Sequence, residues 1–243
     1  MTQEVLMSIA PPSALQPVRA PHRQAQGGPP LAGVAAVSTV LFLASLIIGT
    51  AMAGGTYPSP FGSGTTILHY FRDNANGVRV MAFFQFASAV PLAIYAATVS
   101  ARFRNLGIRA PGATIALVGG VLAAGLLAIS ALVTWTLSQP GVVDSPPVVR
   151  ALHDLTFATG GPGYVVAFGL LLAGIAIPAA FGRLLPRWLV TAGIVLAVVA
   201  ELSTLSLLFT GGAYLLPVAR FAGLAWLIVA GALLPKTRRG TNP

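Results

Sequence analysis

Apolar residues in this chain come in long blocks, each about as long as the hydrocarbon core of a bilayer is thick. A helix needs about 20 mostly apolar residues to cross that core. Six stretches meet the requirement: 31–53, 80–101, 114–137, 163–181, 188–209 and 215–234. Two shorter stretches show helical periodicity instead. In TTILHYFRDNANG, residues Ile67, Leu68 and Phe71 fall on one face, and in PPVVRALHDLTFATGG, Val148, Leu152 and Leu155 do. Asp144-Ser145-Pro146 reads as a helix start. Arg150 and Asp154, four residues apart, can pair on the polar face. Asn76-Gly77 and Gly160-Gly161 then break each short helix before the next long block begins. The pattern predicts an all-α polytopic membrane protein with six transmembrane helices and two short amphipathic helices in the outer interface. Each short helix precedes a hairpin with a basic turn, so the two units read as a parallel internal repeat.

Composition supports the membrane reading. Charged residues make up 8% of the chain and hydrophobic ones 56%. A soluble domain carries about 25% charge and needs it to wet its surface. The net charge of +9 therefore bears on orientation, not on nucleic acid. Arg19, Arg23, Arg102, Arg104, Arg109, Arg183, Arg187, Lys236, Arg238 and Arg239 fall on one side of the alternating blocks. Only Arg72, Arg79, Arg150 and Arg220 fall on or toward the other. The positive-inside rule then predicts that both termini are cytoplasmic. Residues 1–30, rich in Pro, Gln and Ala, read as a disordered cytoplasmic tail. Residues 31–235 form the membrane domain, and 236–243 a basic cytoplasmic tail.

Chemistry-bearing residues are few. The chain has no cysteine, which excludes disulfides and thiolate chemistry. Phosphate-loop, zinc-protease and nucleophile-elbow motifs are absent from it. Two charges stand inside the last hairpin, Glu201 and Arg220. If both helices run unbroken to Gly211-Gly212, Glu201 lies roughly 15 Å below the tip and Arg220 roughly 12 Å. At similar depth, two opposite charges offset each other's cost in hydrocarbon. They read as an interhelical clamp, with proton or cation binding at Glu201 as the alternative. Gln85, Ser88 and Tyr95 recur on one face of the second block, and Thr204 lies a turn from Glu201. This polar stripe is either helix-to-helix hydrogen bonding or the lining of a path. His69 and His153, with Asp154, are the minimum set for an outer metal site. The pattern demands no cofactor.

The ending RFAGLAWLIVAGALLPKTRR, together with the small-residue-rich fourth block, resembles a family of actinobacterial six-helix integral membrane proteins of unknown function. The resemblance implies a multi-pass protein of the bacterial plasma membrane and brings no site residue with it. Three functions stay open on the sequence: a non-enzymatic accessory or regulatory membrane protein, a small transporter or proton- or cation-coupled carrier using Glu201, and a membrane enzyme with metal at His69 and His153. The lipid bilayer is the expected partner, and the sequence does not say whether another protein or a second copy joins it. The orientation is testable because the chain lacks cysteine. Single cysteines at Ser63 and Ser145 should react with an impermeant thiol reagent in intact cells, and those at Asn105 and Thr241 should stay protected. Labelling of Asn105 from outside would reverse the topology.

Overall fold

A computed structural model describes residues 28–236 other than Arg109. Residues 1–27 and 237–243, the greater part of the expected tails 1–30 and 236–243, lie outside the described residues. The long helices are α1 Leu31–Ala53, α3 Ala75–Asn105, α4 Gly112–Thr136, α6 Tyr164–Phe181, α7 Arg187–Leu202 and α8 Leu215–Leu233. Two shorter helices, α2 Gly64–Asp73 and α5 Pro146–Ala158, precede α3 and α6. The described residues are all-helical, with six helical stretches long and apolar enough to cross a membrane. Large apolar side chains such as Val40, Phe83 and Leu132 point outward from the bundle. A soluble protein would cover such a belt, whereas a bilayer solvates it. This is a multi-pass membrane protein.

Consecutive long helices are neighbours, and α8 returns to α1 to close the ring. Helix α6 packs on α4, α7 and α8 and is buried on most of its surface. Without a hydrophobic force between helices in lipid, close packing of small residues holds such a bundle. A Cβ at Gly119 would come within 2.6 Å of Leu170 Cβ, so that glycine lets α4 and α6 touch backbone to side chain. Tyr95 of α3 donates to the Leu227 carbonyl of α8 at 3.1 Å, and Trp226 of α8 donates to the Leu189 carbonyl of α7 at 2.7 Å.

Three expectations need correction. First, α7 stops at Leu202 and gives way to a 3₁₀ turn, Ser203–Leu207. A second 3₁₀ turn, Thr210–Tyr214, precedes α8, and Gly212 folds back against Leu205 and Ser206. Glu201 thus sits in the last turn of α7, not deep in an unbroken helix. Second, the first short helix ends at Asn74 and not at Asn76-Gly77, which lie inside α3. The expected break at Gly160-Gly161 does occur, as a kink at Gly161 (φ −87°, ψ −106°) between α5 and α6. Third, α5 is rotated from the expected face. Val148 and Leu155 are exposed, while Val149, His153 and Thr156 are buried. One residue along a helix is about 100° around it, so the inward face is the neighbouring one. The reason is packing. Helix α5 lies on α2 and α4, and Val149 joins Ile67, Phe71, Val78 and Leu137 in a small second core. The apolar face of α2 is therefore covered by protein, whereas on α5 Val148 and Leu155 stay exposed.

That second core generates a test. Phe71 is 0% exposed, and Phe71→Ala should cost about 3–5 kcal/mol. Val148→Ala should stay within about 0.5 kcal/mol of wild type. Unfolding in detergent or nanodiscs measures both, and a Val148 variant that is the worse of the two would restore the original face.

Candidate functional site

The bend between α5 and α6 is built from TGGPG, and it creates the site. Pro162 has no N–H to give the helical ladder, and the bend at Gly161 pulls neighbouring carbonyls out of register. Two carbonyls beside the bend accept hydrogen bonds from other helices. Ser130 of α4 donates to the Thr156 carbonyl at 3.0 Å. Arg220 of α8 donates through Nη2 to the Gly160 carbonyl. Gly160 must be glycine, because a Cβ there would strike Ser130.

Arg220 has an unusual environment for a cation. Its guanidinium carbon lies 5.4 Å from the centre of the Phe42 ring and 5.1 Å from that of Tyr164. Ring faces attract a guanidinium. Yet its Nε is buried and has no hydrogen-bond partner, and no carboxylate lies within 4.0 Å of it among the described residues.

Above Arg220 is a cavity of about 740 Å³, within the usual range of small-molecule sites. Phe42, Leu46, Met81, Phe157 and Leu216 supply apolar wall, and Gln85, Ser130, Thr134 and Thr156 supply polar wall. The lining contains no Asp or Glu, and Arg220 is its one formally charged member. On α1 the lining goes no deeper than Phe42, on α3 than Gln85, and on α4 than Ser130. The floor is therefore Arg220, and the stacked rings of Tyr164 and Phe168, whose centres are 5.4 Å apart, lie outside the lining.

The loop from Tyr57 to Phe61 roofs the cavity, and α5 holds it down. Arg150 donates to the Gly62 carbonyl at 3.1 Å and the Pro60 carbonyl at 2.8 Å, while Asp154 holds the same guanidinium at 2.9 Å. His153 Nε2 lies 3.2 Å from the Pro58 carbonyl. The Tyr57 hydroxyl bonds Thr156 Oγ1 at 3.2 Å, and burial pushes its pKa up to about 12, so it stays a neutral phenol. Phe61 meets Phe157 edge to face. Phe61 and Tyr214, 50% and 81% exposed, stand at the rim.

The sequence-predicted site residues are only partly gathered here. Arg220 and Gln85 line the cavity, with Gln85 3.4 Å from Ser130 Oγ. Ser88 and Tyr95 point inward as expected, but each bonds backbone and serves packing. Thr204 is off the stripe. It is exposed and donates to its own helix at the Glu201 carbonyl. The Glu201–Arg220 clamp is not formed: Arg220 turns inward to Gly160, and Glu201 is exposed beside Gly169. The early end of α7 removes the geometry that made the pair attractive. The metal set is not assembled either. No group of three ligating side chains occurs among the described residues. His69 is exposed, whereas His153, at 1% exposure, is stacked on Tyr57. The repeat placed the two histidines alike, and the rotation of α5 sets them apart. Missed by sequence reasoning were Thr156 as the partner of Ser130 and the Tyr57–Phe61 roof. The prolines in YPSPFG were the available signal for a fixed loop.

Comparison with family models, curated proteins and solved structures returns no match.

The separation of the two charges has a measurable consequence. Glu201→Gln and Arg220→Gln should act independently on unfolding, with a coupling energy below about 0.5 kcal/mol in a double-mutant cycle. Strong coupling would bring the clamp back.

Proposed function

We propose that this protein is a non-enzymatic binding protein of the plasma membrane, with an accessory or regulatory role, which receives a small apolar molecule in the cavity under the Tyr57–Phe61 loop. The observation that carries this reading is the cavity itself: about 740 Å³, mostly apolar, roofed at one end of the bundle and floored at Arg220. Basic loops between α3 and α4 and between α6 and α7 lie at the opposite end, so the positive-inside rule turns the cavity toward the outer face. The floor favours holding over passage. A carrier needs a route past the bound molecule, and the lining of the cavity ends at Arg220. Glu201, the residue on which ion-coupled transport would depend, is not part of the lining.

Photolabelling tests the reading. Dodecanol and dodecanoate bearing a terminal diazirine are incorporated into phosphatidylcholine nanodiscs holding the full chain, and adducts are mapped by mass spectrometry. At least one of the two probes should label cavity residues such as Leu46, Phe61 and Leu216 above lipid-facing Val40, Phe83 and Leu132. Leu46→Trp, which fills the wall, should remove the excess. Even labelling of cavity and belt by both probes would overturn binding.

A further inference from the structure

Resting on the cavity reading, we infer that the ligand is a single-chain amphiphile ending in a carboxylate, and that Arg220 is its anchor. The first argument is charge. Arg220 brings one positive charge to the floor of an otherwise uncharged lining, with no carboxylate within 4.0 Å among the described residues. A buried cation without a counter-charge is costly, and a ligand carrying one negative charge supplies it.

The second argument is geometry. A guanidinium presents a flat fork of N–H groups that matches the two oxygens of a carboxylate. Only one acceptor, the Gly160 carbonyl, meets Arg220 among the described residues, and Nε is left without one. Phe42 and Tyr164 fix the plane of the fork through their ring faces. The Gln85 amide, which also lines the cavity, is a further donor.

The third argument chooses among acids. A phosphate monoester carries about −1.5 to −2 near neutral pH and calls for more than one cation. A carboxylate carries one charge, which Arg220 alone balances. The remaining wall selects the body. From Arg220 toward the rim, Phe42, Leu46, Leu216 and Phe61 offer apolar surface, which an unbranched hydrocarbon chain would cover while its head sits at the floor.

Competition in phosphatidylcholine nanodiscs tests this, using the diazirine probe that labels the cavity. Dodecanoate should displace it at a concentration at least about tenfold lower than dodecanol does, the minimum expected for a hydrogen bond to a charged group. Arg220→Gln should bring the two competitors together, and Arg220→Lys should recover only part of the difference. The wild-type comparison stands even if either variant folds poorly. Equal potency of dodecanoate and dodecanol would overturn the carboxylate anchor and leave the cavity reading intact. Failure of both to displace would overturn both readings. Dodecyl phosphate that outcompetes dodecanoate by tenfold or more would overturn the choice of carboxylate, as would loss of dodecanoate binding in phosphatidylglycerol nanodiscs, which would assign the site to a lipid phosphate.

Discussion

The contact on which the upper half of the bundle depends is the hydrogen bond from Arg220 to the Gly160 carbonyl. It joins α8 to the kink between α5 and α6. In a regular helix the Gly160 carbonyl would accept from the Tyr164 N–H, but here that N–H turns to the Gly161 and Thr159 carbonyls, and Gly160 is left to Arg220. The sequence TGGPG prevents that regularity by removing one donor and three side chains. Arg220 then holds the bend open from across the bundle, 60 residues away in the chain. The space above the bend is the cavity.

Packing of α5 on α2 and α4 sets its rotation and so the identity of the roof. With Val149, His153 and Thr156 turned inward, Arg150 and Asp154 stand beside the Tyr57–Phe61 loop. The ion pair was expected on the polar face, and it forms there. Exposed pairs of this kind contribute little to stability. Here the pair also orients Arg150 toward two loop carbonyls, so its structural use is to position the roof. The rest of the polar wall is economical. Ser130 and Thr156 each satisfy backbone while they line the cavity, which spares the bundle unpaired groups in a low-dielectric setting.

Two residues show why the candidate site was half legible. Arg220 stood out because a charge inside an apolar block is expensive wherever it points. Its partner was misassigned because Glu201 was nearer in sequence and the hairpin was taken as two unbroken helices. No signal in STLSLLFTGG announces that the helix tightens into 3₁₀ turns. By its type His153 groups with His69 and Asp154 as a candidate metal ligand. The structure instead uses it as a buried ring against Tyr57, a role set by neighbours from a different loop.

Hydropathy and segment length are properties of consecutive residues, and the bilayer responds to them segment by segment. The sequence alone therefore determined the six spans, with helix ends shifted by a few residues, and the two short amphipathic helices. The asymmetry of basic residues is likewise countable along the chain. The tertiary structure decided the rotation of α5, the early end of α7, the acceptor that Arg220 meets and the presence of a cavity. Each of these turns on an angle about a helix axis or on contact between residues far apart in the chain. A step of one residue moves a side chain by about 100°, so a span can be placed correctly by its composition while its facing is settled only when the other helices pack against it.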